Sequence, residues 1–149
     1  TGVQTCALPI WSAIDWTAAR PLDKATTIGV AAGRGWQNAG VALAAGTCYG
    51  LEARGRCTLG VIGETTIETG PDGISLDWYR GRPLGRLLVA QWVRSPDDGG
   101  RPRFVVIGEG STARFTAAAD GPLYARLNEP PADYADSAGE FDVELNPTP

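Results

Sequence analysis

From Lys24 onward, apolar side chains recur at every second position, and no segment sustains the 3.6-residue period of a helix. Leu123-Tyr124-Ala125-Arg126-Leu127-Asn128 alternates in this way, and so does Phe141, Val143 and Leu145 against Glu140, Asp142 and Glu144. Both read as strands with one dry and one wet face. The same pattern predicts strands over 25–31, 36–43, 47–55, 74–79, 103–107 and 112–117. Arg86 to Val93 (RLLVAQWV) is almost continuously apolar, as expected of a strand covered on both sides. Gly33-Arg34-Gly35 and Ala45-Gly46 read as turns, and Gly108-Glu109-Gly110 as a hairpin turn. Val61 to Gly73 reads as turn and loop, and Ser95 to Arg103 as a polar loop. About nine short strands at hairpin spacing imply two packed antiparallel sheets, an all-β sandwich of jelly-roll type.

The first ten of the 149 residues, TGVQTCALPI, look like the translation of a common short-read sequencing adapter. They are set apart from fold reasoning. Trp11 to Asp23 has a weak helical spacing and reads as a linker or the tail of an upstream region. The sandwich is expected over 24–146, with 147–149 as a tail. A hydrophobic content of 43% with 20 Gly and 11 Pro indicates a turn-rich globular chain. Its net charge of −4 offers no footprint for nucleic acid or an anionic membrane. No apolar run approaches the ~20 residues that a spanning helix requires.

Cys48 and Cys57, if they lie on one strand, are roughly 30 Å apart and read as free thiols. With no His in the chain, His/Cys zinc sites and Ser-His-Asp or Cys-His nucleophile systems are excluded.

The densest group of side-chain oxygens lies between the two last strands, in Glu129, Asp133, Asp136 and Ser137, with the carbonyls around Pro130 and Pro131. These acids either hold a cation or keep a solvated loop soluble, and Asp136 also suits a turn cap before Gly139. Trp36, Trp78, Tyr79 and Trp92 sit at strand spacing and read first as core. Trp78 or Tyr79 would alternatively stack on a sugar. Arg80 and Arg82, in the WYRGRPLG stretch, are either surface charges or forks for carboxylate, phosphate or hydroxyl groups. Asp97-Asp98-Gly99-Gly100 resembles half of a calcium loop but lacks its downstream acid. Glu129 and Asp136 as a hydrolytic carboxylate pair lack a groove, so the chain reads as non-catalytic.

The order of WQNAGVAL, AGTCYGLEARG, PLGRLLVAQW, RFVVIG and GPLYARLNEPPADYADSAGEFDVEL resembles the calcium-dependent galactophilic lectins of bacteria, the PA-IL-like family, over roughly residues 36–145. The resemblance implies a galactose-binding-like sandwich whose last loop holds one Ca²⁺, which also coordinates two sugar hydroxyls. Carried over, the ligands would be Glu129, Asp133 through its carbonyl, Asp136, Ser137 and the Leu59 carbonyl. Glu129, Pro130, Asp136, Tyr79, Arg80 and Arg82 would meet the sugar. The family's two asparagine ligands are here Asp136 and Ser137, and its sugar-contacting His and Gln fall near Gly70 and Gly73, so galactose specificity does not carry over.

The expected function is a non-catalytic, carbohydrate-binding-like module assisted by Ca²⁺. The alternative is an accessory or protein-interaction sandwich that has lost the sugar site. The implied partners are a glycan or polysaccharide and other domains of the same chain, and the lectin resemblance leans to an extracellular or periplasmic setting.

Overall fold

The computed structural model describes residues 18–94 and 99–148. The adapter-like start, the first part of the linker segment and Asp97-Asp98 lie outside the described residues. Those described form thirteen strands: β1 (Arg20–Pro21), β2 (Thr26–Ala31), β3 (Gln37–Leu43), β4 (Cys48–Arg54), β5 (Cys57–Ile62), β6 (Thr65–Thr69), β7 (Ile74–Tyr79), β8 (Arg82–Leu84), β9 (Leu87–Arg94), β10 (Pro102–Glu109), β11 (Thr112–Thr116), β12 (Gly121–Leu127) and β13 (Ala138–Pro147). A 3-10 turn, Pro131–Asp136, separates the last two.

One sheet has the order β1-β3-β12-β9-β10. The second runs β11-β4-β13-β5-β6, with β2 also paired to β13. All pairs are antiparallel except β1 with β3. β7 and β8 pair only with each other, forming a separate hairpin.

Alternation determines what the two sheets bury. Phe141, Val143 and Leu145 of β13 are fully buried, as are Leu123 and Leu127 of β12 and Leu87 and Val89 of β9. They meet Val30, Leu51, Ala53 and Phe115 in one core. β9 is covered on both faces over Leu87 to Gln91, as its apolar run requires. Cys48 and Cys57 are free thiols.

The structure corrects three expectations. Val61 to Gly73 is more than loop, because the Thr- and Ile-rich stretch of β5 and β6 pairs around Gly63-Glu64, with a register shift beside Gly60. Gly108 to Gly110 does not close a hairpin. β10 pairs with β9 in one sheet and β11 with β4 in the other, so the chain crosses between layers there. Asp72 fixes the crossing by accepting from the Ser111 N–H at 2.7 Å and its hydroxyl at 2.8 Å. Lastly, the segment ending at Asp23 is not all linker, since Arg20–Pro21 pairs with β3 and Leu22 enters the core.

Candidate functional site

The loop after β12 is closed around Glu129, which is 2% exposed. Its Oε1 accepts the Gly33 N–H at 2.6 Å, and its Oε2 accepts the Ser137 hydroxyl. Ser137 Oγ also lies 3.2 Å from the Asp133 carbonyl. A buried carboxylate is tolerable only with such donors.

The turn that brings the Gly33 N–H here leaves no room for side chains. Gly33 and Gly35 have φ of 76° and 70°, and a Cβ on them would come within 2.7 Å of the Tyr134 carbonyl and 2.8 Å of its hydroxyl. Only glycine satisfies both demands. Buried Gln37 holds the turn from below, donating to the Ala31 and Gly35 carbonyls and accepting from the Ala31 N–H.

Of the expected ion ligands, the structure therefore brings together the Glu129 carboxylate, the Ser137 hydroxyl and the Asp133 carbonyl. Asp133 and Asp136 are exposed residues. Asp136 lies beside Gly60, next to buried Leu59. Among the described residues no three His, Cys, Asp or Glu side chains form a group that could hold a metal ion. Burial pushes the Cys57 thiol up to about 11, and the nearby Glu129 and Glu140 carboxylates add to the rise.

A second feature rises beside this loop. Asn128, 3% exposed, donates its Nδ2 to the carbonyls of Tyr79, Arg82 and Pro83 at 2.9, 3.0 and 3.0 Å. These bonds hang the β7–β8 hairpin on the end of β12. Tyr79 pairs with Arg82 across a two-residue tip, with Arg80 at φ 52° and Gly81 at φ 77°. Successive left-handed residues make the tight hairpin turn that suits strand twist. Arginine at the first of them is strained, a condition that clusters at functional positions.

The outer face of the first sheet completes the site. Cross-strand partners share a face, and Trp92 is registered opposite Phe104, while Tyr124 is opposite Ala90 and Arg126 opposite Leu88. Phe104 stacks on Trp36 at 4.8 Å and meets the edges of Trp92 and Tyr124 at 4.7 and 5.2 Å. Arg126 lies between Trp36 and Tyr134, 5.6 and 6.0 Å from the ring centres. Its guanidinium donates to the Leu127 and Glu129 carbonyls and the Tyr134 hydroxyl. Burial pushes the Tyr134 hydroxyl up in pKa; Arg126 opposes that rise.

The result is an open cleft with a hollow of about 300 Å³ whose lining includes Trp36, Tyr79, Arg80, Arg126, Pro131 and Tyr134. A continuation of about 440 Å³ passes Arg82 and Leu88. Tyr79, Arg80 and Arg82 of the expected contact residues thus sit in one cleft. Glu129 stands behind it as a structural acid, Pro130 opens the 3-10 turn, and Asp136 lies towards β5. The expectation that Trp36, Trp78, Tyr79 and Trp92 are core is not met: Trp78 is 59% and Trp92 40% exposed, and Trp36 and Tyr79 are only half-buried. The sequence reading missed Arg34, Phe104, Arg126 and Tyr134. An available signal was the aromatic at the wet position of each of several neighbouring strands.

No family model matches the chain, and no curated protein matches it by sequence. Among solved structures it is similar to one described as "EclA N-terminal domain; PllA-like lectin", at TM-score 0.57 and 26% identity, covering 82% of this chain and 95% of that one. The sandwich is lectin-like. Its antiparallel architecture is therefore shared with a lectin domain along nearly the whole length of that neighbour.

Proposed function

We propose that this sandwich is a non-catalytic carbohydrate-binding module whose sugar site is the cleft over the outer face of the first sheet. The observation that carries the reading is the meeting of half-exposed aromatic rings with arginine forks beside the last loop, in a chain similar to a lectin domain. Flat C–H faces of sugars pack on aromatic rings, while guanidinium groups donate to ring oxygens and hydroxyls. Trp92 and Tyr79 supply the faces; Arg80 and Arg126 supply the donors. Tyr134 and Pro131 close the end nearest the loop.

A glycan array followed by calorimetry tests this on the intact chain. Saccharide binding is expected, with Trp92→Ala weakening it about tenfold or more and leaving the melting temperature within a few degrees. Absence of any glycan binding would instead favour the accessory or protein-interaction sandwich.

Calcium assistance is a second reading, supported by the convergence of the Glu129 carboxylate, Ser137 hydroxyl and Asp133 carbonyl. All are hard oxygens of the type that Ca²⁺ takes, six to eight at a time. Asp136 and the Leu59 carbonyl are the further residues that would hold the ion, which when bound supplies coordination places for sugar hydroxyls. An ion present at 100 times its Kd adds ~2.7 kcal/mol, a rise of several degrees for a domain of this size. Superimposable melts in Ca²⁺ and in chelator would remove calcium from the proposal and leave the cleft untouched.

A further inference from the structure

The chain is acidic, with 17 Asp and Glu against 13 Lys and Arg, yet its cleft is the reverse. Arg34 lines the first hollow, Arg82 and Arg103 its continuation, and Arg80 and Arg126 both, while no Asp or Glu lines either part. Five of the thirteen basic residues are thus gathered where the aromatic rings are open. Segregation against the net charge is unlike a dispersed solubilising surface, in which the two signs are interspersed.

These charges are also unequally compensated. Arg82 is satisfied by Glu109, which also takes Arg86, at 2.6 and 2.8 Å. Arg34, Arg80 and Arg126 are in no ion pair with a described carboxylate. Arg126 directs its Nε and Nη2 to neutral carbonyls and a phenol, which leaves its charge in place. Glu129 is the acid nearest to it in the chain, but its carboxylate is turned to Gly33 and Ser137. Arg80, held left-handed at the hairpin tip with its guanidinium over Tyr79 at 5.5 Å, places a planar fork beside an aromatic face. A guanidinium pairs with a carboxylate through two parallel hydrogen bonds, and the same ring accepts the apolar side of a pyranose.

We infer, resting on the carbohydrate reading above, that the cleft selects acidic saccharides, sugars bearing a ring carboxylate of the uronate type. The carboxylate is received by Arg80 with Arg34 or Arg126, and the ring packs on Tyr79 or Trp92.

The test is calorimetry of the intact chain with oligogalacturonate and oligoglucuronate, with the same oligosaccharides after reduction of their carboxyl groups to neutral alcohols, and with polyglutamate. The acidic sugars are expected to bind about tenfold or more tighter than their reduced forms and to weaken with added NaCl. An R34Q/R80Q variant, checked for folding by circular dichroism, is expected to lose that preference, the acidic sugars weakening about tenfold more than their reduced forms. Equal affinity for acidic and reduced forms would overturn the acid selectivity and leave sugar binding standing. Equal binding of polyglutamate would show a response to charge alone and overturn it as well. Failure of every saccharide would remove the carbohydrate reading together with this one.

Discussion

Glu129 accepts at both oxygens and is almost wholly hidden from water, so the closure of the last loop is concentrated in a single side chain. Replacing it with Ala strands the Gly33 N–H and the Ser137 hydroxyl, and Glu129→Ala is expected to lower stability by about 2–4 kcal/mol in urea unfolding. Ser137→Ala removes one of the two donors and should cost roughly half of that. Arg80 presents the opposite case, a residue whose backbone is worse for the fold than its alternatives. Arg80→Asn gives the tip an Asn-Gly turn and should raise stability by up to about 1 kcal/mol. The same change should weaken saccharide binding, and opposite signs in melting and calorimetry would separate strain kept for a ligand from strain without use. Identical binding in the variant would place Arg80 outside the site.

Among the elements, the β7–β8 hairpin depends on Asn128 for three hydrogen bonds to carbonyls. Asn128→Ala is expected to increase amide hydrogen exchange in residues 78–84 well before the sheets open, with about 2–3 kcal/mol lost overall. Uniform exchange across hairpin and sheets would refute this anchoring. How much of the architecture was legible follows from what a period of two encodes. It marked β3, β4, β12 and β13, because one face of each is core and apolar side chains are forced into register with it, while the unbroken apolar run of β9 marked a strand covered on both sides. It does not say which face is wet at the end of β9 or at the entry to β3 once aromatics occupy it, so strand spacing alone places Trp92 and Trp36 in the core. Nor did turn chemistry distinguish a hairpin from a crossing at Gly110, since the partner of β11 is β4, some sixty residues earlier. Closure of the last loop was invisible for the same reason, its key donor being 96 residues away at Gly33. The acids were visible as a cluster; their division into one buried acceptor and two exposed residues was not.

For the whole molecule, acid stability should follow the carboxylates that the fold holds ionised. Burial raises Glu109, but hydrogen bonds and charges from Arg82 and Arg86 win and hold it below its ordinary value of 4.5. Asp72 is held below 3.8, chiefly by the Ser111 N–H and then by its hydroxyl. Groups lowered on folding contribute stability that is complete above their unfolded values and lost as the pH falls through the folded ones. Unfolding free energy should therefore decline from about pH 4.5 downward, and the Glu109→Gln and Asp72→Asn variants should each flatten that slope; an unchanged slope would discount these pairs. Both pairs lie where the β7–β8 hairpin and the crossing into β11 meet, so acid should loosen the rim of the cleft along with the domain. The separate pairing of β7 with β8 has one more consequence. A substitution at Arg80 re-registers neither main sheet, so a descendant of this chain is free to exchange the reach and charge of that tip while inheriting the scaffold intact.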